Sequence, residues 1–369
     1  AAFVTMYLPQ PLLPDLTREL VIAPATSAAI ISVVTLGIAI ASPFLAPLSD
    51  RFGRRPVLLT ATFGLAPVGI ATALVDDVGW LLLLRGVQGA LVAVILASGL
   101  AYLGEEFGRA IASRLAGLFI ASTVTGGVVS RLLGGVLGDE FGWRVAFASA
   151  AVVSLLAGFT LARLLPPARN FRRAIHLGSA FRGALAHWRD PRLRALYLIG
   201  FAVFYSFLAL FNALPFRLNA APYELAPRWI GLTYLVYLAG VASATFSGPL
   251  LDRLRASHLL AMALAVTALA HLATLATSLS VLVTVLLALT FAHFLAQSTA
   301  SGLVTLSARE ARAGANAHYL FSYYVGGSIG SLVSVAMLPA WGWSAVAGVN
   351  AVLLGAAALL ALRLADEAG

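Results

Sequence analysis

Two arginines set inside apolar runs are the residues of this chain whose type and placement most suggest chemistry. Residues 116–138 read AGLFIASTVTGGVVSRLLGGVLG. Arg131 stands about seven residues, roughly 10 Å, from the outer end of that run. A guanidinium near a bilayer centre costs about 2.5–3.5 kcal/mol on insertion scales, so Arg131 is expected to face a cavity or a partner rather than lipid. Arg85 lies at a similar depth in another apolar run, with Gln88 one helical turn further on. Directed inward, two such groups can clamp a carboxylate or phosphate bidentately, or orient a polar group. The structural alternative is that each caps carbonyls freed by the prolines of the first apolar run or by the glycines around Arg131.

Polar and aromatic residues elsewhere in the apolar runs supply possible companions. Gln10 and Asn212 carry amides; Tyr205, Leu208 and Asn212 recur at helical spacing, and Tyr319 and Tyr323 share one helical face. Gln10, Arg131, Tyr205, Asn212, Tyr319 and Tyr323 are therefore the expected substrate-binding residues. All 15 acidic residues fall at the ends of apolar runs or between them, Asp15 being the deepest. With no carboxylate near mid-membrane depth, a lipophilic cation is a poor ligand, and neutral or anionic compounds suit two arginines better. A proton carrier is then sought among imidazoles, of which His293 and His271 lie within apolar runs and His318 opens one. Arg85, Gln88, Asp15 and His293 are the candidates for coupling. Enzymatic chemistry has little to stand on: the chain has no cysteine, and neither a metal-spaced cluster, a G-x-S-x-G elbow nor a phosphate-binding loop is visible. No metal and no cofactor is expected.

The elements that must position these residues follow from composition. Hydrophobic residues make up 60%, charged residues 11%, and the mean hydropathy is +0.93. A soluble domain carries roughly 25% charged residues, so the composition is that of an integral membrane protein. There is no lysine, and all 24 cationic side chains are arginine. They lie in short intervals between apolar runs rather than in one stripe, which points to membrane orientation and against nucleic acid.

Cutting at charges and turns gives twelve apolar segments: 1–16, 27–49, 56–75, 78–103, 111–137, 143–165, 195–218, 229–250, 256–277, 279–306, 314–338 and 342–364. Most reach the roughly 20 residues that cross a bilayer as helix. The expected fold is all-α and membrane-integral, with two pseudo-symmetric six-helix bundles at 1–165 and 195–369. The first segment is short, and the numbering is expected to begin inside its helix. The interval 166–194 reads as a cytoplasmic linker with an amphipathic interfacial helix, since Phe171, Ile175, Phe181, Leu185 and Trp188 fall on one face. With both termini cytoplasmic, 18 of the 24 arginines lie on the cytoplasmic side; the six others are Arg18, Arg85, Arg131, Arg144, Arg217 and Arg228.

The halves repeat each other. Pro47-Leu48-Ser49-Asp50-Arg51 recurs as Pro249-Leu250-Leu251-Asp252-Arg253, 202 positions later, and Ala97-Ser98-Gly99-Leu100 as Ala300-Ser301-Gly302-Leu303, 203 later. Gly126-Gly127 and Gly142-Trp143 recur 200 later. A duplicated six-helix unit is the architecture of a transporter whose halves rock about a substrate. The repeat counterpart of Arg131 is Ser331.

Leu48-Ser49-Asp50-Arg51-Phe52-Gly53-Arg54-Arg55 resembles the signature loop of the major facilitator superfamily, usually written G-x-L-x-D-R-x-G-R-R, with Ala46 in place of the first glycine. Arg85-Gly86-Val87-Gln88-Gly89 resembles the superfamily's R-x-x-Q-G motif. Gln10-Pro11-Leu12-Leu13-Pro14, Leu210-Phe211-Asn212 with Pro215, Arg131, and Tyr319 through Tyr324 with Val325-Gly326-Gly327-Ser328 resemble the YnfM-like branch. That branch is associated with acriflavine sensitivity and drug:proton antiport. The resemblance implies a proton-coupled exporter; with the duplication, the expectation is rocker-switch alternating access in the bacterial inner membrane, by a monomer. Asp50 and Asp252 are expected to end helices at the cytoplasmic face, where a carboxylate can meet the N-terminus of a helix in the other half, for Asp50 near Asn316. With Arg51, Arg54, Arg55, Glu105, Glu106 and Arg253 they form the expected latch.

Two other classes remain beside the exporter. A uniporter or importer of an organic anion bound by Arg131 is motivated by the embedded arginines. A non-transporting receptor or scaffold is disfavoured, because it needs neither a repeated latch nor polar residues at mid-membrane depth.

Overall fold

The computed structural model describes residues 1–107, 109–168, 187–251, 253–308 and 312–366. Every regular element among them is helical. The first half holds α1 (Ala2–Tyr7), a 3-10 turn (Gln10–Leu12), α2 (Leu13–Glu19), α3 (Pro24–Phe52), α4 (Arg54–Leu74), α5 (Val78–Glu106), α6 (Arg109–Phe141) and α7 (Trp143–Leu164). The second holds α8 (Pro191–Asn219), α9 (Pro227–Thr233), a 3-10 turn (Tyr234–Tyr237), α10 (Leu238–Leu251), α11 (Ala256–Ala273), α12 (Leu279–Ser307) and α13 (Arg312–Asp366). Most of the expected 166–194 helix lies outside the described residues, which resume with a 3-10 turn at His187–Arg189.

Eight stretches among the described residues are long and apolar enough to cross a membrane, against the twelve segments expected. The fifth segment is the 33-residue helix α6, which is not among the eight; the other three differences have physical causes. The first segment is broken by Pro9, Pro11 and Pro14, whose missing N–H groups cannot continue an α-helical ladder, so it runs as α1, a 3-10 turn and α2. The eighth is broken at Tyr234–Tyr237 into α9 and α10. The last two run together as α13, which turns at Gly342, where φ is +67°.

Helix starts are written locally. Asp77 accepts from Trp80 N at 2.9 Å, and Asp190 accepts from Arg192 N at 2.8 Å with Pro191 in the first turn. Gly142 and Gly342, 200 positions apart, both adopt positive φ (+81° and +67°), and each precedes a tryptophan. There the sequence repeat is also a backbone repeat, in a conformation that an L side chain disfavours.

Two units can be separated: Ala1–Leu177 with Leu225–Tyr234, and Gly178–Glu224 with Leu235–Gly369. Within the first, α3 packs on α5. A Cβ at Gly37 would lie 2.8 Å from Gly86 O, and one at Gly89 would collide with Val34 O. Within the second, α8 packs on α13. Glycines of the repeated 126–130 and 326–330 stretches meet neighbours within their own units. Cβ atoms at Gly326 and Gly330 would collide with Phe201 O and Tyr205 O of α8. Small residues there let two helix backbones touch.

Candidate functional site

The broken first segment creates the first polar cluster. Pro9 has no N–H for Thr5 O, the bond an unbroken helix would make. Arg85 of α5 supplies the donor instead: Nη1 donates to Thr5 O at 2.8 Å and Nη2 to Met6 O at 2.7 Å. Its Nε donates to Ile30 O at 2.8 Å, and Nη1 also donates to Gln88 Oε1 at 2.7 Å. Arg85 is fully buried, and Gln88 passes the network on to Thr72 Oγ1 at 3.3 Å. Of the two roles the sequence leaves open for Arg85, this geometry is the carbonyl-capping one.

Arg131 of α6 has different company. Its Nε donates to Gln10 Oε1 and its Nη1 to Gly127 O, both at 2.5 Å. The guanidinium carbon lies 4.2 Å from the ring centre of Tyr7 and 4.9 Å from that of Tyr234. The side chain is 1% exposed. Aromatic faces stabilise a guanidinium by about 0.5–2 kcal/mol each, more as water is excluded. Gln10 opens the 3-10 turn, so the prolines that break the first segment also deliver the amide to Arg131.

Tyr7 and Tyr234 are the residues that sequence reasoning missed. Tyr7 lies three positions before Gln10, on the same face, and that spacing was a usable signal. Tyr234 had none, because α9 comes against α6 through a close glycine-to-backbone approach that leaves no side-chain signature. A Cβ at Gly135 would lie 2.6 Å from Pro227 O, and one at Gly231 would lie 2.7 Å from Arg131 O. Arg228 pairs with Asp139 at the same junction.

In the second unit, Asn212 Nδ2 donates to Ser331 Oγ. Ser331 is the repeat counterpart of Arg131, and Asn212 follows Gln10 by 202 positions. Tyr205 is buried and stacks on Phe201, with centroids 5.9 Å apart. Tyr323 stacks on Phe204 at 4.0 Å, and Tyr319 packs beside Tyr323 at 6.0 Å. His293 stacks on Phe207 at 3.9 Å, buried, with Nε2 lacking a hydrogen-bond partner among the described residues. Asp15 pairs with Arg18 on α2, beside the 3-10 turn.

At the expected latch, Arg54 donates to Glu105 through Nη2 at 2.7 Å and Nε at 3.1 Å, and through Nη1 to Ser49 Oγ at 2.6 Å. Arg55 turns instead to the end of α7, donating to Leu165 O at 2.9 Å and Ala162 O at 2.8 Å. Arg51 is exposed over Phe52, Glu106 is half-buried and Arg253 is exposed. The Asp50 side chain and Asp252 lie outside the described residues. Among the described groups, then, the network ties α3, α4, α5 and α7 of one unit.

Comparison with known proteins agrees with this architecture. A family model described as Major Facilitator Superfamily matches residues 1–305 and 220–369. The chain is similar to the inner membrane transport protein YnfM of Escherichia coli (strain K12), 32% identical over 365 residues, which is 99% of this chain and 88% of that protein. It is 30% identical over 353 residues to the uncharacterized MFS-type transporter YybF of Bacillus subtilis (strain 168), covering 95% of this chain and 87% of that one. The probable transporter SCO4007 of Streptomyces coelicolor is 30% identical over 356 residues, covering 93% of this chain and 80% of that one.

Proposed function

The chain belongs to the Major Facilitator Superfamily, whose members are multi-pass membrane transporters and not enzymes, and we propose that it is a proton-coupled exporter of small neutral or anionic amphipathic compounds. It acts by rocker-switch alternating access, with twelve spans in two six-helix halves. It resides in the bacterial inner membrane as a monomer, with both termini cytoplasmic. The superfamily makes a small-molecule substrate and a bilayer its partners; protons are the coupling species.

The observation that carries the substrate class is the setting of Arg131. Gln10, Gly127 O, Tyr7 and Tyr234 fix the plane of a buried guanidinium, and a fixed fork is what bidentate recognition of a carboxylate or phosphate requires. The tyrosine faces beside it suit an apolar body on the same compound. Among the described residues, every acidic one lies at a helix end or between helices, which disfavours a lipophilic cation. Gln10, Arg131, Tyr205, Asn212, Tyr319 and Tyr323 form the recognition set, and the charged network around Arg54 and Glu105 acts as the cytoplasmic latch.

The test is substrate accumulation in proteoliposomes under an imposed inside-acid gradient, screening neutral and anionic amphiphiles. Gradient-driven accumulation supports proton-coupled export. Downhill movement indifferent to the gradient would make the protein a facilitator of organic anions.

A further inference from the structure

His271 is fully buried in the last turn of α11. Its Nδ1 lies 2.8 Å from Thr267 O on its own helix, and its Nε2 lies 3.3 Å from Ser206 O on α8. A carbonyl oxygen only accepts. Hydrogen bonds at both ring nitrogens therefore require N–H at both, which only the imidazolium has. The neutral ring satisfies one carbonyl and turns a lone pair toward the other.

Its position in the helix works in the same direction, since the C-terminal turn is the negative end of the helix dipole and favours a cation. From α8, Arg217 holds the carbonyls just beyond His271, Thr274 O and Ala276 O, and its charge opposes a second cation. From α12 comes His293, and from α13 Trp343, which donates to Thr274 Oγ1 at 3.0 Å. His258 lies 13 residues, about 20 Å, back along α11. His318 packs with Tyr197 toward the opposite end of α8, and Arg363 lies 20 residues beyond Trp343. The sequences of α8, α10, α11 and α12 contain no Asp or Glu. The two carbonyls and the helix end are thus what holds a positive ring.

This step rests on the proton-coupled reading above and names its proton site: we propose that His271 binds the coupling proton. Protonation at Nε2 makes a donor to Ser206 O and ties α11 to α8; loss of that proton to water removes the donor and releases the tie. Ser206 is the neighbour of Tyr205 and lies six residues from Asn212. The proton therefore acts on the helix that carries part of the recognition set, with no carboxylate needed.

The experiment has two arms on the full chain. In nanodiscs, ¹⁵N-histidine spectra follow His271, assigned by its loss in His271→Gln. If that variant does not assemble, the signal is assigned by replacing the other five of the six histidines one at a time. The expected result is a ring with both nitrogens protonated at the acid end of the titrated range that passes to one N–H as the pH rises. A ring that stays in one neutral tautomer across that range overturns the proposal. In proteoliposomes, His271→Gln is expected to lose at least tenfold of the gradient-driven accumulation while keeping substrate counterflow. Gradient-driven accumulation equal to wild type overturns the proposal and leaves proton-coupled export standing. If wild type itself ignores the gradient, the export reading falls, and the titration alone decides whether His271 is a proton site.

Discussion

Arg131 Nε donates to Gln10 Oε1 at 2.5 Å, and the same two places in the repeat are occupied by Ser331 and Asn212, which also bond to each other. In each case an amide, on the 3-10 turn before α2 or on α8, meets a polar side chain on a long helix, α6 or α13. One of the two contacts uses a cation and the other a hydroxyl. The charge is what should select the substrate.

If Gln10 orients the guanidinium, Gln10→Leu should raise KM for an anionic substrate about tenfold, the effect of ~1.4 kcal/mol, with little change in protein level. Gln10→Glu should do more, because a carboxylate there neutralises Arg131. It should abolish transport of anions and spare neutral compounds. Equal loss of both classes would show that Gln10 serves packing alone.

Arg85 stands in for the N–H that Pro9 lacks. Arg85→Ala leaves several buried carbonyls without their donor, at ~1–3 kcal/mol each, and should lower Tm sharply in detergent. Pro9→Ala restores an N–H near Thr5 O, so the double variant should be less damaged than the sum of the singles. Strict additivity in that cycle would break the link between the two residues.

The contact of α9 with α6 depends on two glycines facing backbone. Gly135→Ala puts a methyl 2.6 Å from Pro227 O, and Gly231→Ala puts one 2.7 Å from Arg131 O. Each should cost about 1–3 kcal/mol and move Tyr234 away from Arg131. The chain has no cysteine, so a disulfide engineered at Asp139→Cys and Arg228→Cys reports the contact directly. Its yield should fall in either glycine variant and stay high in the parent.

Arg54 and Glu105 form a bidentate pair beside Gly53, whose φ is +96°. Arg54→Glu should reduce transport severalfold through like-charge repulsion. Arg54→Glu with Glu105→Arg should recover most of it, since Ser49 Oγ is the main contact that the exchange does not restore. Failure of the double variant to recover would mean that the site requires an arginine itself rather than the pair.

How much of this could be read from residues alone depends on whether the signal was local. Most of the apolar runs appear as helices where expected; the Asp77 and Asp190 caps and the turns at the repeated Gly-Trp pairs are also written in adjacent residues, but they were not among the expectations. The breaks were less legible: three prolines in the first segment announce one, but nothing at Tyr234 does. The pairing of Arg54 with Glu105 was among the partners expected, whereas Arg55 reaches carbonyls of α7 that carry no side-chain signature. Arg85 and Arg131 look alike in sequence, each a lone cation in an apolar run. They differ in their distant partners: Arg85 reaches the carbonyls of Thr5, Met6 and Ile30, whereas Arg131 reaches the Gln10 amide between the rings of Tyr7 and Tyr234, and none of these lies near its arginine in sequence.

The central claim is that Arg131 confers selectivity for anionic or neutral amphiphiles in a gradient-driven carrier. Its most direct test is accumulation of a panel of anionic, neutral and cationic amphiphiles in proteoliposomes with an inside-acid gradient, comparing wild type with Arg131→Ala and Arg131→Lys. Expected are gradient-driven accumulation of anionic or neutral compounds by wild type, loss of at least tenfold for anions in Arg131→Ala, and incomplete rescue by lysine, whose ammonium lacks the fork. Unchanged transport by a well-folded Arg131→Ala, or a wild-type preference for cations, would contradict it.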